Sequence, residues 1–236
     1  AVEKIRNSEV EISRITKSVL VIDEAQDMTE DEFALIAALI EKNESLKGLD
    51  YLDTIYHAIV NEHPIQLKYR SFKARSANSF IFYPYLLKEY RNRWFVYGVR
   101  GNGRILQNLA LDRIQSLEVL PQEHYIKNTF FDPNTFFDDL VGVTKNSGSV
   151  AEKIGFKVAA AEAPYIITKP IHRSQQVVER LADGSVILEI EVVINHELER
   201  VFFGYAEGIQ VLYPQTLVEL IEKKLRRAVE QYEKPK

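Results

Sequence analysis

The sequence contains no cysteine. Disulfides, thiolate metal sites and cysteine nucleophiles are therefore excluded, and a reducing compartment fits. No apolar run approaches the roughly 18 residues that a membrane-crossing helix needs, so no membrane contact is expected. No glycine-rich loop ends in Gly-Lys-Ser/Thr, so the phosphate cradle of a P-loop nucleotide hydrolase is missing. Basic residues are not in excess: 30 Lys and Arg stand against 34 Asp and Glu, a net charge of -4. Gripping duplex DNA by its phosphates takes a strong basic face, so any nucleic-acid contact has to come from a local patch. The opening residues AVEKIRNSEVEI are charged and lack the apolar core of a signal peptide, which points to a cytoplasmic location. Position 1 is Ala rather than Met, so the chain reads as a processed or truncated piece.

What is present is ordinary globular material. Of 236 residues, 46% are hydrophobic and 27% charged, enough apolar surface for one large domain or two small ones. Thr29, Asp31 and Glu32 form a helix start, and Phe33, Ile36, Ala37 and Ile40 share one helical face. Leu52, Ile55, Tyr56 and Ile59 repeat that spacing, predicting a helix over 49–62 that Pro64 ends. The pattern then changes period. Ile65, Leu67 and Tyr69 alternate with polar residues, as in a half-buried strand. Further strands are predicted at 80–89 with an interruption at Pro84, and at 93–100, 104–109 and 113–120. Gly101-Asn102-Gly103 supplies a hairpin turn. Five short sequential strands hide their edges by curling into a small barrel. Phe130 to Val143, with Phe136 and Phe137, predicts a short docking helix, and 145–149 a linker.

The last third alternates strands with helices. Strands are predicted at 153–160, 172–180, 186–194 and 209–212, and helices at 163–169, 197–205 and from Pro214 to Tyr232. This is an α+β sandwich module. The whole chain is thus α+β: a helical segment 1–48, a barrel domain 49–144, and an α+β module 150–236.

The stretch YPYLLKEYRNRWFVYGVRGNGRILQNLALDRI, Tyr83 to Ile114, resembles a WYL domain. The family pattern is a Pro-containing strand, a Trp-Tyr-Leu strand, an arginine, and a closing Leu-Asp-Arg-Ile. Here the triplet is Trp94-Phe95-Val96, without the Tyr hydroxyl, and the closing piece is Leu111-Asp112-Arg113-Ile114. The lead-in LKGLDYLDTIYHAIVNEHPIQLKYRSF is similar to the helix and first strand of that domain. The tail LERVFFGYAEGIQVLYPQTLVELIEKKLRRAVEQY is similar to its usual C-terminal extension. The resemblance spans about residues 46–233. It implies an Sm-like (SH3-like) barrel, the effector-sensing part of a bacterial transcription regulator, and a nucleotide or short single-stranded nucleic acid as ligand. It also implies a homodimer and duplex DNA reached through a winged-helix domain. No winged-helix pattern is legible before residue 46, so that domain is expected to be missing from this chain. No enzymatic activity and no cofactor are expected.

Arginines and aromatics crowd the barrel segment. Guanidinium forks pair with phosphate and aromatic faces stack on bases. The candidate ligand residues are Tyr69, Arg70, Tyr83, Arg91, Arg93, Trp94, Tyr97, Arg104 and Arg113. A solvated arginine face over an aromatic core is the alternative, and composition alone favours it; the resemblance favours the ligand role for Tyr69, Arg93, Trp94 and Arg113. Trp94 reads equally as core. Asp112 reads as a turn residue or ion-pair partner. His57 and His63 have no second ligand at metal spacing and read as structural. His172-Arg173 and His196 could frame a site in the last module, although lone histidines are usually structural. Lys223, Lys224, Arg226 and Arg227 suit a helix C-terminus.

One competing motif stands in VLVIDEAQDM, residues 19–28. An apolar strand followed by Asp23-Glu24-Ala25-Gln26-Asp27 resembles the magnesium-binding motif of superfamily 1 helicases. Two other expectations therefore accompany the regulator: an accessory module of a DNA helicase or repair protein, and a ligand-free dimerisation scaffold.

Overall fold

A computed structural model describes residues 47–101, 103 and 105–233. The predicted strand at 19–22, the helix at 29–40 and the 23–27 motif lie outside them. The chain divides into two compact units between Asn134 and Thr135.

The first unit opens with a 3-10 turn, Leu49–Tyr51, and helix α1, Leu52–Val60. Leu52, Ile55, Tyr56 and Ala58 are its buried residues, at helical spacing. Asn61 closes the helix: its side chain donates to the His57 carbonyl at 2.8 Å. Pro64, which has no N–H to give a helix, then releases the chain into strand β1, Ile65–Tyr69. Ile65, Leu67 and Tyr69 face the core, as their alternation predicts.

Strand β2, Asn78–Tyr90, serves two partners. Residues 78–82 pair with β1, and 82–90 pair with β3, Arg93–Arg100. The register shifts between Pro84 and Leu86, the bulge that a proline inside a strand calls for. Arg91 and Asn92 both have positive φ, 50° and 60°, and turn β2 into β3. Strand β4, Gln107–Ala110, and strand β5, Ile114–Val119, complete the sheet. Its order is β4-β3-β2-β1-β5, with every pair antiparallel.

The expected closed barrel is corrected here. Five antiparallel strands are present, but among the described residues no ladder joins β4 to β5, so the sheet is open. The physical reason is local. Strand β4 is only four residues long, and the chain leaves it by a 3-10 turn, Leu111–Arg113, that carries β5 to the far edge beside β1. A four-residue edge also offers little for another chain to pair with.

One core joins α1 to the sheet through Leu67, Phe82, Leu87, Trp94, Val96 and Leu111. A second apolar layer lies behind β2 and β3. Tyr85 stacks on Phe130 with ring centroids 6.1 Å apart. Tyr83 and Tyr85 both meet Tyr125 edge-on at 6.1 Å, and Tyr97 meets Phe131 at 6.4 Å. The helix predicted from Phe130 is a run of turns instead. Asn128 caps the Phe130 N–H at 3.1 Å and Asp132 caps that of Asn134 at 3.0 Å. Such side-chain caps compete with helical hydrogen bonds.

The second unit contains β6 (Ala151–Val158), α2 (Ala163–Thr168), β7 (Gln176–Arg180), β8 (Val186–Val193), α3 (His196–Gly204), β9 (Ile209–Tyr213) and α4 (Gln215–Glu233). The sheet order β7-β8-β6-β9 is that of a ferredoxin-like βαββαβ unit. Ile154, Phe156, Leu188, Ile190, Leu198 and Phe202 form its core. Asn195 caps α3 by accepting from the Leu198 N–H at 2.8 Å. Its amide donates to the carbonyls of Val141 and Thr144, each at 3.0 Å, so one buried side chain fixes both helix and preceding loop.

His172 bridges that loop region to the sheet. Its Nδ1 lies 2.8 Å from the Ser174 hydroxyl, which also contacts the Glu191 backbone. Burial, helped by the Arg173 charge, pulls the imidazole below its usual pKa; Asp138 and Asp139 pull the other way. The native state therefore favours neutral His172, and the unfolded chain takes up the proton first. Stability is expected to be complete above the unfolded pKa of about 6.5 and to fall as pH drops through and below it. Urea unfolding at a series of pH values should show this slope, and His172→Gln should flatten it.

Candidate ligand-binding site

Three elements bring charged candidates together. Arg93 opens β3, Tyr69 ends β1, and the 3-10 turn between β4 and β5 carries Asp112 and Arg113. Leu111 is 1% exposed, so the turn is nailed to the core from below. Its two charged residues are placed by that anchor.

Asp112 sits between the arginines. Its Oδ2 is 3.1 Å from Arg93 Nε, and its Oδ1 is 3.9 Å from Arg113 Nε. The second distance is too long for a hydrogen bond. Arg113 Nε and Asp112 Oδ1 are both buried and have no hydrogen-bond partner. Leaving such atoms unsatisfied costs about 1–3 kcal/mol each. Arg113 also interacts with the Tyr69 hydroxyl. Burial raises the Tyr69 pKa, and the Arg113 charge and hydrogen bond partly offset this. The outer side of the Arg113 guanidinium lies over the Phe72 ring, 4.4 Å from its centroid. Two guanidinium groups face one carboxylate in this cluster.

The other candidates are elsewhere. Trp94 is 8% exposed and belongs to the core with α1. Tyr83 and Tyr97 face the opposite layer, against Tyr125 and Phe131. Arg91 stands in the β2–β3 turn over the ring of Tyr90, 5.5 Å from its centroid. Arg70 is exposed beyond β1, with its N–H donating to the Arg113 carbonyl at 3.1 Å. Arg104 lies outside the described residues. Sequence reasoning expects one converging face, and among the described candidates the structure gathers Tyr69, Arg93 and Arg113.

Sequence reasoning also misses residues. It does not single out Phe72, although Arg70-Ser71-Phe72-Lys73 interleaves an aromatic with cations. Nor does it link Tyr125, Phe130 and Phe131 to β2 and β3, because they meet those strands across long separations in sequence. There the Tyr125 hydroxyl donates to the Pro84 carbonyl. Burial, reinforced by Tyr83, pushes the Tyr85 phenol up to about 12.

A family model described as the WYL domain matches residues 50–119, and one described as the WCX domain matches 151–229. The chain carries a WYL domain followed by a WCX domain. The arginine cluster belongs to the first, and the ferredoxin-like sheet to the second. Neither matched model is that of a helicase, so the 23–27 motif gains no support. No curated protein matches the chain. Among solved structures, it is similar to proteasome accessory factor B/C (PafBC) of Arthrobacter aurescens at 16% identity and a TM-score of 0.34. That match covers 86% of this chain and 30% of the other. A CRISPR Cas-related protein matches at 11% identity and a TM-score of 0.47, over 86% of this chain and 57% of that one. The chain thus spans less than two thirds of either. Among the described residues no group of His, Asp and Glu is arranged to hold a metal ion, and no helix is long and apolar enough to cross a membrane.

Proposed function

We propose that this chain is the effector-sensing region of a bacterial transcription regulator, whose WYL domain binds a phosphorylated ligand at Arg93 and Arg113. The ligand class is a nucleotide or short single-stranded nucleic acid. The observation that carries this reading is the convergence of the two guanidinium groups on Asp112 beside Tyr69, with the Arg113 Nε–H left without an acceptor and guanidinium in excess over carboxylate. A phosphate oxygen has the right chemistry for the Arg113 N–H. The region acts by binding rather than by catalysis. Ligand binding shifts the arrangement of a homodimer, and so the spacing of attached winged-helix domains on duplex DNA.

A second reading has one observation in its favour. The Arg93–Asp112 pair at 3.1 Å already neutralises one guanidinium, as a ligand-free dimerisation scaffold would have it. Titration of the chain with fluorescein-labelled oligothymidylates and with cyclic dinucleotides separates the two. Saturable binding that weakens with salt is expected, since pairing with phosphates releases counterions. A flat titration at every salt concentration would leave the scaffold.

A further inference from the structure

The β1–β2 loop, residues 70–77, is the part of this unit where charge and exposed aromatic surface coincide. From residue 63 to residue 88 the sequence has no Asp or Glu, yet it carries Lys68, Arg70, Lys73, Arg75 and Lys88, in a chain of net charge -4. Lys68, Arg70, Lys73 and Arg75 are all exposed. None of these four has an acidic partner among the described residues. In their midst stands Phe72, 74% exposed.

The loop is ordered by its ends. Tyr69 pairs with Asn78 across the β1–β2 ladder, the Arg70 N–H donates to the Arg113 carbonyl, and the Ala74 N–H turns back to the Ser71 carbonyl at 3.0 Å. Phe72 sets one ring face against the Arg113 guanidinium. Its high exposure leaves the other face to solvent. A lone exposed phenylalanine needs no special account. One that is stacked on the cation of a candidate phosphate site, inside an acid-free loop, has a specific chemistry. It is a stacking platform with backbone-tracking charges around it.

We propose that Phe72 stacks a nucleobase whose phosphate lies at Arg113, and that Arg70, Lys73 and Arg75 carry the neighbouring phosphates of a single strand. This rests on the reading of the arginine pair as the phosphate site, and deepens it. The ligand is a single-stranded oligonucleotide rather than a mononucleotide, because the loop adds charge beyond the first phosphate.

The test measures fluorescence anisotropy of labelled oligothymidylates, from the mononucleotide to about eight residues. Inorganic phosphate, read by competition and by protection against thermal unfolding, is the second probe. Affinity is expected to rise with length over the first few nucleotides. Phe72→Ala should weaken oligonucleotide binding about 5- to 150-fold, the range for loss of one base–aromatic stack, and weaken phosphate binding far less, because the ring flanks the Arg113 guanidinium without touching the anion. Phe72→Trp should bind as the native chain does, with the new indole quenched on binding. Lys73→Ala with Arg75→Ala should lower the logarithmic salt slope by about 1.4. These side chains are exposed, so the variants keep the fold. Oligonucleotide binding that is indifferent to Phe72→Ala would overturn the stacking proposal. Binding of phosphate or mononucleotide with no gain from added nucleotides would overturn the single-strand assignment and leave the arginine site standing. Absence of all binding by the native chain would overturn both.

Discussion

Replacing both Arg93 and Arg113 by alanine is expected to lower affinity for a labelled oligothymidylate about a hundred- to ten-thousand-fold. Each guanidinium makes charge-assisted hydrogen bonds worth about 1.5–3 kcal/mol when removed. The logarithmic salt slope should also flatten by about 0.7 for each phosphate that is no longer neutralised. Arg113→Lys should recover only part of the affinity, because an ammonium cannot reproduce the planar fork. Asp112→Asn is the informative companion. It keeps the shape but removes the charge that competes with an incoming phosphate for Arg93 at 3.1 Å. Binding about twofold to fivefold tighter is expected, the size of a partly exposed ion pair. Weaker binding in Asp112→Asn would mean that Asp112 holds the arginines in place rather than occupying the ligand's position. Thermal melts of each variant distinguish a missing ligand group from a damaged fold.

The largest expected effect on stability is that of Gly98→Ala. Gly98 lies in β3 opposite Pro84, at the bulge of β2. A Cβ there would sit 2.1 Å from the Tyr83 carbonyl oxygen and 2.6 Å from the Phe82 ring. The first obstacle is backbone and cannot rotate away. Phe82 is fully buried, so its ring has nowhere to go. The β2–β3 ladder, which spans the whole of β3, must therefore part locally. Overpacking of this kind costs about 3 kcal/mol or more. That is a large share of the 5–15 kcal/mol of a typical domain. A fall of about 10 °C in the melting temperature is expected. Substitution of the neighbouring exposed Arg100 by Ala should leave it nearly unchanged. An unaltered melt for Gly98→Ala would show that the β2–β3 ladder yields at the bulge without loss of stability.

Much of the secondary structure was legible because its signals are local. The alternation of Ile65, Leu67 and Tyr69 needs only a sheet with one buried face, and β1 follows it residue for residue. Pro64 and Pro84 mark a helix end and a strand bulge because proline lacks an N–H wherever it stands. The β-α-β-β-α-β order of the second unit likewise follows from its periods. The failures concern closure and capping. Whether five strands shut into a barrel depends on where β4 and β5 end, and a short turn anchored by Leu111 decides that. The predicted helix after Phe130 gave way to the side-chain caps of Asn128 and Asp132.

By itself the sequence determined most of the strands and helices, and that arginines and aromatic rings are dense between Tyr69 and Arg113. Side-chain type and spacing act over a few residues, and the sequence displays both. Only the tertiary structure decided which of those residues meet. Trp94 goes to the core and Tyr83 and Tyr97 to the opposite layer, while Arg93 and Arg113 share Asp112. That sorting depends on which face of the sheet each position takes and on the packing of segments distant in sequence. A one-residue offset at the Pro84 bulge reverses the face for everything after it, and no local pattern records that.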